Sequence, residues 1–186
     1  SYYWVPIFSC LSGCRVEEIC QMETDSIVKE KGVWIYRLRE MGESDRENTK
    51  VKNIYSERDI PLHNVLVDDL NFVGFVKDVK SKGHKRVFHE LPYIRRKYHK
   101  NVIRFFNERY LKLIGLKGTR RLSFHSLRHS FETHLTNQRV HPRFLNYNQG
   151  HSQSGEGGKT YLHKIQPDVL KDECIDKISW DVDWKS

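Results

Sequence analysis

The sequence predicts an α+β fold, mainly α, with one small antiparallel β-sheet. Three observations carry that prediction. After Pro61, apolar residues recur at three- and four-residue intervals, the spacing of a helix face. Before it, the run Gly32–Leu38 (GVWIYRL) is dense in aromatic and β-branched residues and reads as a strand, and a second extended segment closes at Asp59-Ile60-Pro61-Leu62. Finally, 186 residues with 38% apolar side chains and 11 glycines suit a single domain, 1–186. A chain of that size buries roughly 70% of its unfolded surface and needs no disulfide or metal to fold.

From the N-terminus, Trp4–Leu11 is apolar enough for a buried helix, and Ser12-Gly13 closes it with glycine in the C-cap position. Arg15–Met22 (RVEEICQM) is expected to be a second helix, with Val16, Ile19 and Met22 on one side. The strand Gly32–Leu38, a polar stretch from Arg39 and the second extended segment give two or three strands. Val65–Val79 places positions 66, 70, 73 and 76 on one helix face, and the basic stretch Lys80–Arg86 interrupts it. Tyr98–Ile114 repeats the pattern through Val102, Phe105, Phe106, Tyr110, Leu113 and Ile114, ending at Gly115. Phe124–Leu135 and Pro142–Gln149 are the next helices, Gly150–Gly158 is a glycine-rich loop, and helical character returns from Pro167.

Lys and Arg number 32 against 24 Asp and Glu, a net charge of +8, with a pI near 9.3. That surplus suits a polyanion, nucleic acid above all, and equally describes a solvated basic surface. No apolar run approaches the roughly 18–20 residues of a membrane-spanning helix, and Ser1–Leu11 lacks the basic start and cleavage site of a signal peptide. The expectation is an intracellular, cytoplasmic protein. Cys10, Cys14, Cys20 and Cys174 form no CxxC pair and read as reduced core thiols.

The segment Phe124–Leu135 (FHSLRHSFETHL) carries the chemistry. Helical geometry clusters Phe124, Leu127, Phe131 and Leu135 on one face and lays His125, Arg128 and Glu132 beside it. A His and an Arg one turn apart can present N–H donors to one oxyanion, which suits a phosphate gaining charge in a transition state. His125 and His129 also have the i, i+4 spacing of zinc-binding HExxH helices. Here Ser126 replaces the Glu, and Arg128 would set a cation beside the metal. Neither a metal nor a cofactor is therefore expected. The loop from Gly150 ends Gly-Lys-Thr, but Gln153 stands where a phosphate-binding loop needs glycine. What remains there is His151 and, ten residues later, Tyr161.

His125-Ser126-Leu127-Arg128-His129, then Gly150-His151, then Tyr161 resembles the tyrosine recombinases, or phage integrases, whose pattern is H-x-x-R, G-H or G-W, and a later Tyr. Leu11-Ser12-Gly13-Cys14-Arg15-Val16-Glu17-Glu18-Ile19 is similar to the block holding the first Arg of that family, with Ser12 for the usual Thr. Asn48–Leu62 (NTKVKNIYSERDIPL) is similar to the hairpin that carries its Lys and ends R-x-I-P-L.

The resemblance implies a catalytic domain of the DNA breaking-rejoining type and a site of Arg15, Lys50, His125, Arg128, His151 and the nucleophile Tyr161. Lys52 competes with Lys50 for its role. Glu18, three residues after Arg15, is read from that spacing as orienting the guanidinium or capping nearby backbone. His129 would support packing, and Asp25 would have no chemical role. It further implies double-stranded DNA as partner, a tetramer on DNA formed from free monomers, no membrane, and a separate N-terminal DNA-binding domain. Residues from about 167 to 186 would form a tail docking on a neighbouring protomer. The activity implied is site-specific integration or excision of a mobile element, bacterial or phage-encoded. A catalytically inactive DNA-binding module of the same fold and a type IB topoisomerase-like enzyme are the alternatives.

Overall fold

A computed structural model describes residues 1–39, 57–116, 122–151 and 164–184. It has a mainly helical α+β fold with one three-stranded antiparallel sheet. Helix α1 (Trp4–Ser12) buries Val5, Phe8 and Leu11 and ends where Gly13 turns left-handed at φ 64°. Space also demands glycine there, because a Cβ on Gly13 would lie 2.4 Å from Cδ1 of Phe131. The chain enters α2 (Val16–Cys20) directly. This helix is shorter than the span Arg15–Met22 expected, because Arg15 is its extended N-cap and Gln21 its C-cap.

The sheet runs β1 (Ile27–Glu30), β2 (Val33–Leu38) and β3 (Arg58–Pro61) in that order, antiparallel throughout. Ile27 pairs with Tyr36 and Ile35 with Pro61. Pro61 is tolerated because β3 is an edge strand.

Val65–Val79 does not form one helix. A π-helical turn, Val65–Asp69, gives way to Asn71 at φ 54°, whose side chain accepts from Gly74 N and caps α3 (Phe72–Ser81). The apolar spacing survives the break, since Leu66, Val73 and Val76 are all buried. Likewise Tyr98–Ile114 divides into α4 (Lys100–Phe105), a π-helical stretch Phe106–Tyr110 and α5 (Leu111–Leu113). A π-turn inserts an extra residue and rotates the helix beyond it. Val102, Phe106 and Leu111 are therefore buried, while Leu113 and Ile114, expected on the same face, are exposed.

Helices α6 (His125–Asn137), α7 (Pro142–Gln149) and α8 (Pro167–Glu173) complete the fold. Aromatic rings tie α1 to the sheet and to α3: Phe8 lies 6.0 Å from Tyr36 and 5.3 Å from Phe72, and Trp4 stacks on Phe75 at 5.2 Å. The C-terminal segment rests on its own chain. Leu170, Cys174, Ile175 and Ile178 are buried, and Trp180 Nε1 donates to Cys10 O at 3.2 Å. Burial raises the cysteine thiols above their ordinary range, Cys10 and Cys14 to about 11, which suits packing and not reactivity. No helix among the described residues is long and apolar enough to cross a membrane.

Candidate active site

Three pieces of chain meet around Arg128: the Ser12–Arg15 turn, the buried stripe of α6, and the end of α7 with Gly150-His151. Hydrogen bonds within and between these pieces hold them in place. Ser12 Oγ donates to Phe8 O at 2.6 Å and accepts from Cys14 N at 3.2 Å, while Asn148 Nδ2 donates to Ser12 O at 2.8 Å. Gly150, left-handed at φ 62°, ends α7 and directs His151 back toward α6.

Arg128 is only 5% exposed. Its Nη1 donates to Gly13 O, and its Nη2 donates to Gln149 O at 2.8 Å and to His151 Nε2 at 3.0 Å. A guanidinium can only donate. Nε2 of His151 therefore bears no proton here, and the ring is neutral with its proton on Nδ1. Burial first, and the Arg128 charge second, hold the His151 pKa below its usual value. Burial and the neighbouring charge of Arg15 also press against Arg128, which stays protonated at any ordinary pH.

Arg15 reaches the same place from α2, with nearly half its side chain exposed. Its Nη1 donates to Glu18 Oε1 at 2.9 Å and its backbone N–H to Glu18 Oε2 at 2.8 Å. Glu18 thus holds the orienting position expected of it. A second cation shares it: buried Arg58 donates from Nη2 to Glu18 Oε2 at 2.9 Å and from Nε to Asn148 O at 2.7 Å. In the sequence Arg58 is only the first letter of R-x-I-P-L, and nothing local marks it as the strut between β3, α2 and α7.

Burial alone would raise the Glu18 carboxyl, but Arg58, by charge and hydrogen bond, and Arg15 outweigh it and hold it below its ordinary value. A depressed carboxylate contributes stability that is complete above its unfolded pKa, near 4.5, and is lost as pH falls through the folded value. Glu18→Ala is therefore expected to cost on the order of 3–5 kcal/mol near neutrality, because it strands a buried cation. Denaturant unfolding at a series of pH values should show that penalty shrinking below about pH 4.5.

His125 is exposed at the first turn of α6. Partial burial, then the charges of His129, Arg128 and Arg15, lower its pKa and favour the neutral ring. His129, expected to support packing, is exposed instead, its ring edge-on to His125 at 4.6 Å. The buried stripe of α6 runs through Arg128, Phe131 and Leu135, and His129 lies one residue past it.

Lys50, Lys52 and Tyr161 lie outside the described residues. The chain on either side of them is anchored at one point. Arg39 Nη2 lies 2.7 Å from Asp59 Oδ1, and Lys164 Nζ lies 2.6 Å from Asp59 Oδ2. The strand leading toward Lys50 and the residue three places after Tyr161 thus converge on one buried carboxylate of β3. Nothing in the sequence around Asp59 marks it for that role.

Comparison with known proteins decides the family. The profile of the phage integrase family matches residues 7–166. The chain belongs to the phage integrase family. Neither the curated proteins nor the solved structures compared gave a significant match. The integrase match runs from α1 to the residue before α8 and so spans Arg15, Lys50, His125, Arg128, His151 and Tyr161. Four of those six are described, and in this integrase domain Arg15, His125 and His151 all lie within electrostatic reach of Arg128.

Proposed function

We propose that this chain is the catalytic domain of a site-specific DNA recombinase that cuts and rejoins strands through a 3′-phosphotyrosine. The observation that carries the reading is the placement of Arg128, buried and aimed by two backbone carbonyls beside His151 and Arg15.

Tyr161 Oη attacks the scissile phosphorus, the P–O5′ bond breaks, and the tyrosine proton passes to a base, for which neutral His125 is suited. Arg15 and Arg128 offset the charge gathering on the non-bridging oxygens. Lys50 gives a proton to the departing 5′-oxygen. His151 donates to a phosphate oxygen. In the free protein its Nε2 accepts from Arg128, and an incoming phosphate anion favours the protonated ring that can donate. Because the phosphotyrosine ester conserves the bond energy, a 5′-hydroxyl from a second strand reverses the step and seals the DNA without a nucleotide cofactor.

The domain would act with a separate DNA-binding domain, four copies on duplex DNA, to insert or excise a mobile element in the cytoplasm of a bacterium. The test is a nicked duplex bearing the attachment site, in which the 5′-hydroxyl fragment diffuses away after cleavage. A covalent protein–DNA adduct at the 3′ end is expected on a denaturing gel, and it should form undiminished in excess EDTA, since guanidiniums supply the positive charge. Binding without any adduct would make the chain a DNA-binding module.

A further inference from the structure

The segment between α3 and α4 contains a backbone feature that the strand-transfer chemistry does not use. Ile94 and Lys97 exchange both backbone hydrogen bonds, at 2.9 and 3.1 Å, around Arg95 and Arg96, whose φ angles are 48° and 62°. Two central residues at positive φ define a type I′ turn, which favours Asn, Asp or Gly because other side chains are strained in the left-handed region. A second two-residue hairpin, Lys31-Gly32 between β1 and β2, places glycine second, at φ 83°. At 95–96 the preference is broken twice running. The result is a tip of consecutive exposed cations, Arg95, Arg96 and Lys97.

The turn is firmly mounted. Arg86 donates to the carbonyls of Phe88, His89 and Leu91 at 3.1–3.2 Å and lies 4.0 Å over the ring of Tyr98. Tyr98 in turn packs on Tyr93 at 4.7 Å. From the other side, Glu17 of α2 accepts from the backbone N–H groups of Tyr98 and His99 at 3.1 Å and meets His99 Nδ1 at 2.6 Å. Helix α2 is the one Arg15 caps. A single five-residue helix therefore carries a candidate catalytic arginine at its start and braces the arginine turn through its second residue.

We infer that the Arg95-Arg96 turn is a DNA-backbone clamp, binding phosphates that flank the one undergoing reaction. Strain retained at an exposed tip points to function, since a residue of better backbone preference would suit a merely solvated loop. Two adjacent guanidiniums offer planar forks of N–H donors, and phosphodiester oxygens accept from such forks. The inference rests on the DNA-strand-transfer reading and adds to it a DNA-binding element outside the reacting centre, one that fixes the duplex relative to Arg15.

The test is the double variant R95N/R96G, which installs the residues that a type I′ turn prefers. Its thermal midpoint is measured first, and DNA binding is read well below it. Its affinity for duplex DNA should fall, and the slope of log K against log salt concentration should flatten by about 2, one for each phosphate no longer neutralised. The control K171Q/K177Q removes equal charge from the C-terminal elements and should leave that slope nearly unchanged. If R95N/R96G keeps wild-type affinity and slope, or if the control loses as much, the clamp is wrong. Wild-type adduct formation on the nicked duplex is measured alongside. With the adduct present and the slope unmoved, only the clamp falls; with neither adduct nor DNA binding in the wild type, the strand-transfer reading falls and takes the clamp with it.

Discussion

Tyr161→Phe is expected to abolish the covalent adduct while leaving folding and DNA binding at wild-type levels. Phenylalanine keeps the ring and lacks only the oxygen that can bond to phosphorus, so no slower version of the same step exists. Three other tyrosines are held within regular structure. Tyr147 lies in α7, 8% exposed, and burial raises its hydroxyl above the ordinary range, which disfavours the phenolate needed for attack. Tyr36 is buried, and its hydroxyl donates to Glu18 O at 2.6 Å. Tyr110 is exposed, but it belongs to the π-helical stretch before α5, and Phe106 stacks on its ring at 5.2 Å. Gel analysis of the nicked duplex, with filter binding of the intact duplex in parallel, checks the expectation. An adduct formed by the Phe variant would move the nucleophile to another residue.

The features legible in the sequence are those decided locally. Gly13 and Gly150 announce helix ends because both must turn left-handed, and Pro142 starts α7 where a missing N–H costs nothing. The arginine-histidine pairing on α6 is legible for the same reason, since three residues on a helix fix a shared side. Strand β1 leaves no comparable signal, because it is four residues long and buries only Ile27 within its span. The breaks at Asn71 and at Phe106–Tyr110 leave the apolar spacing nearly intact, so periodicity alone does not reveal them. The two carbonyl partners of Arg128, unlike His151, are beyond the reach of sequence altogether. They are backbone carbonyls 115 positions before it and 21 after it, and a carbonyl has no side-chain signature. Arg58 and Asp59 belong to the same class: neighbours on β3, one supports Glu18 while the other gathers Arg39 and Lys164.

Those carbonyls make Arg128→Lys more telling than its conservative appearance suggests. An ammonium keeps the charge but cannot span Gly13 O and Gln149 O in the planar fork that a guanidinium provides. At least one buried carbonyl then loses its donor, at a cost of about 1–3 kcal/mol, and the cation is no longer aimed. Adduct formation is expected to slow by about 10²–10³, the usual cost of losing one preorganised donor to an oxyanion. Loss of stability alone could also lower the yield of adduct, so the rate is read below the variant's own thermal midpoint. A second substrate separates the two causes. Replacing one non-bridging oxygen of the scissile phosphate by methyl removes the negative charge that Arg128 is proposed to offset. The deficit of the variant should shrink on that substrate if Arg128 acts on the phosphate. A deficit of equal size on both substrates would confine Arg128 to holding the turn at Gly13 against the end of α7.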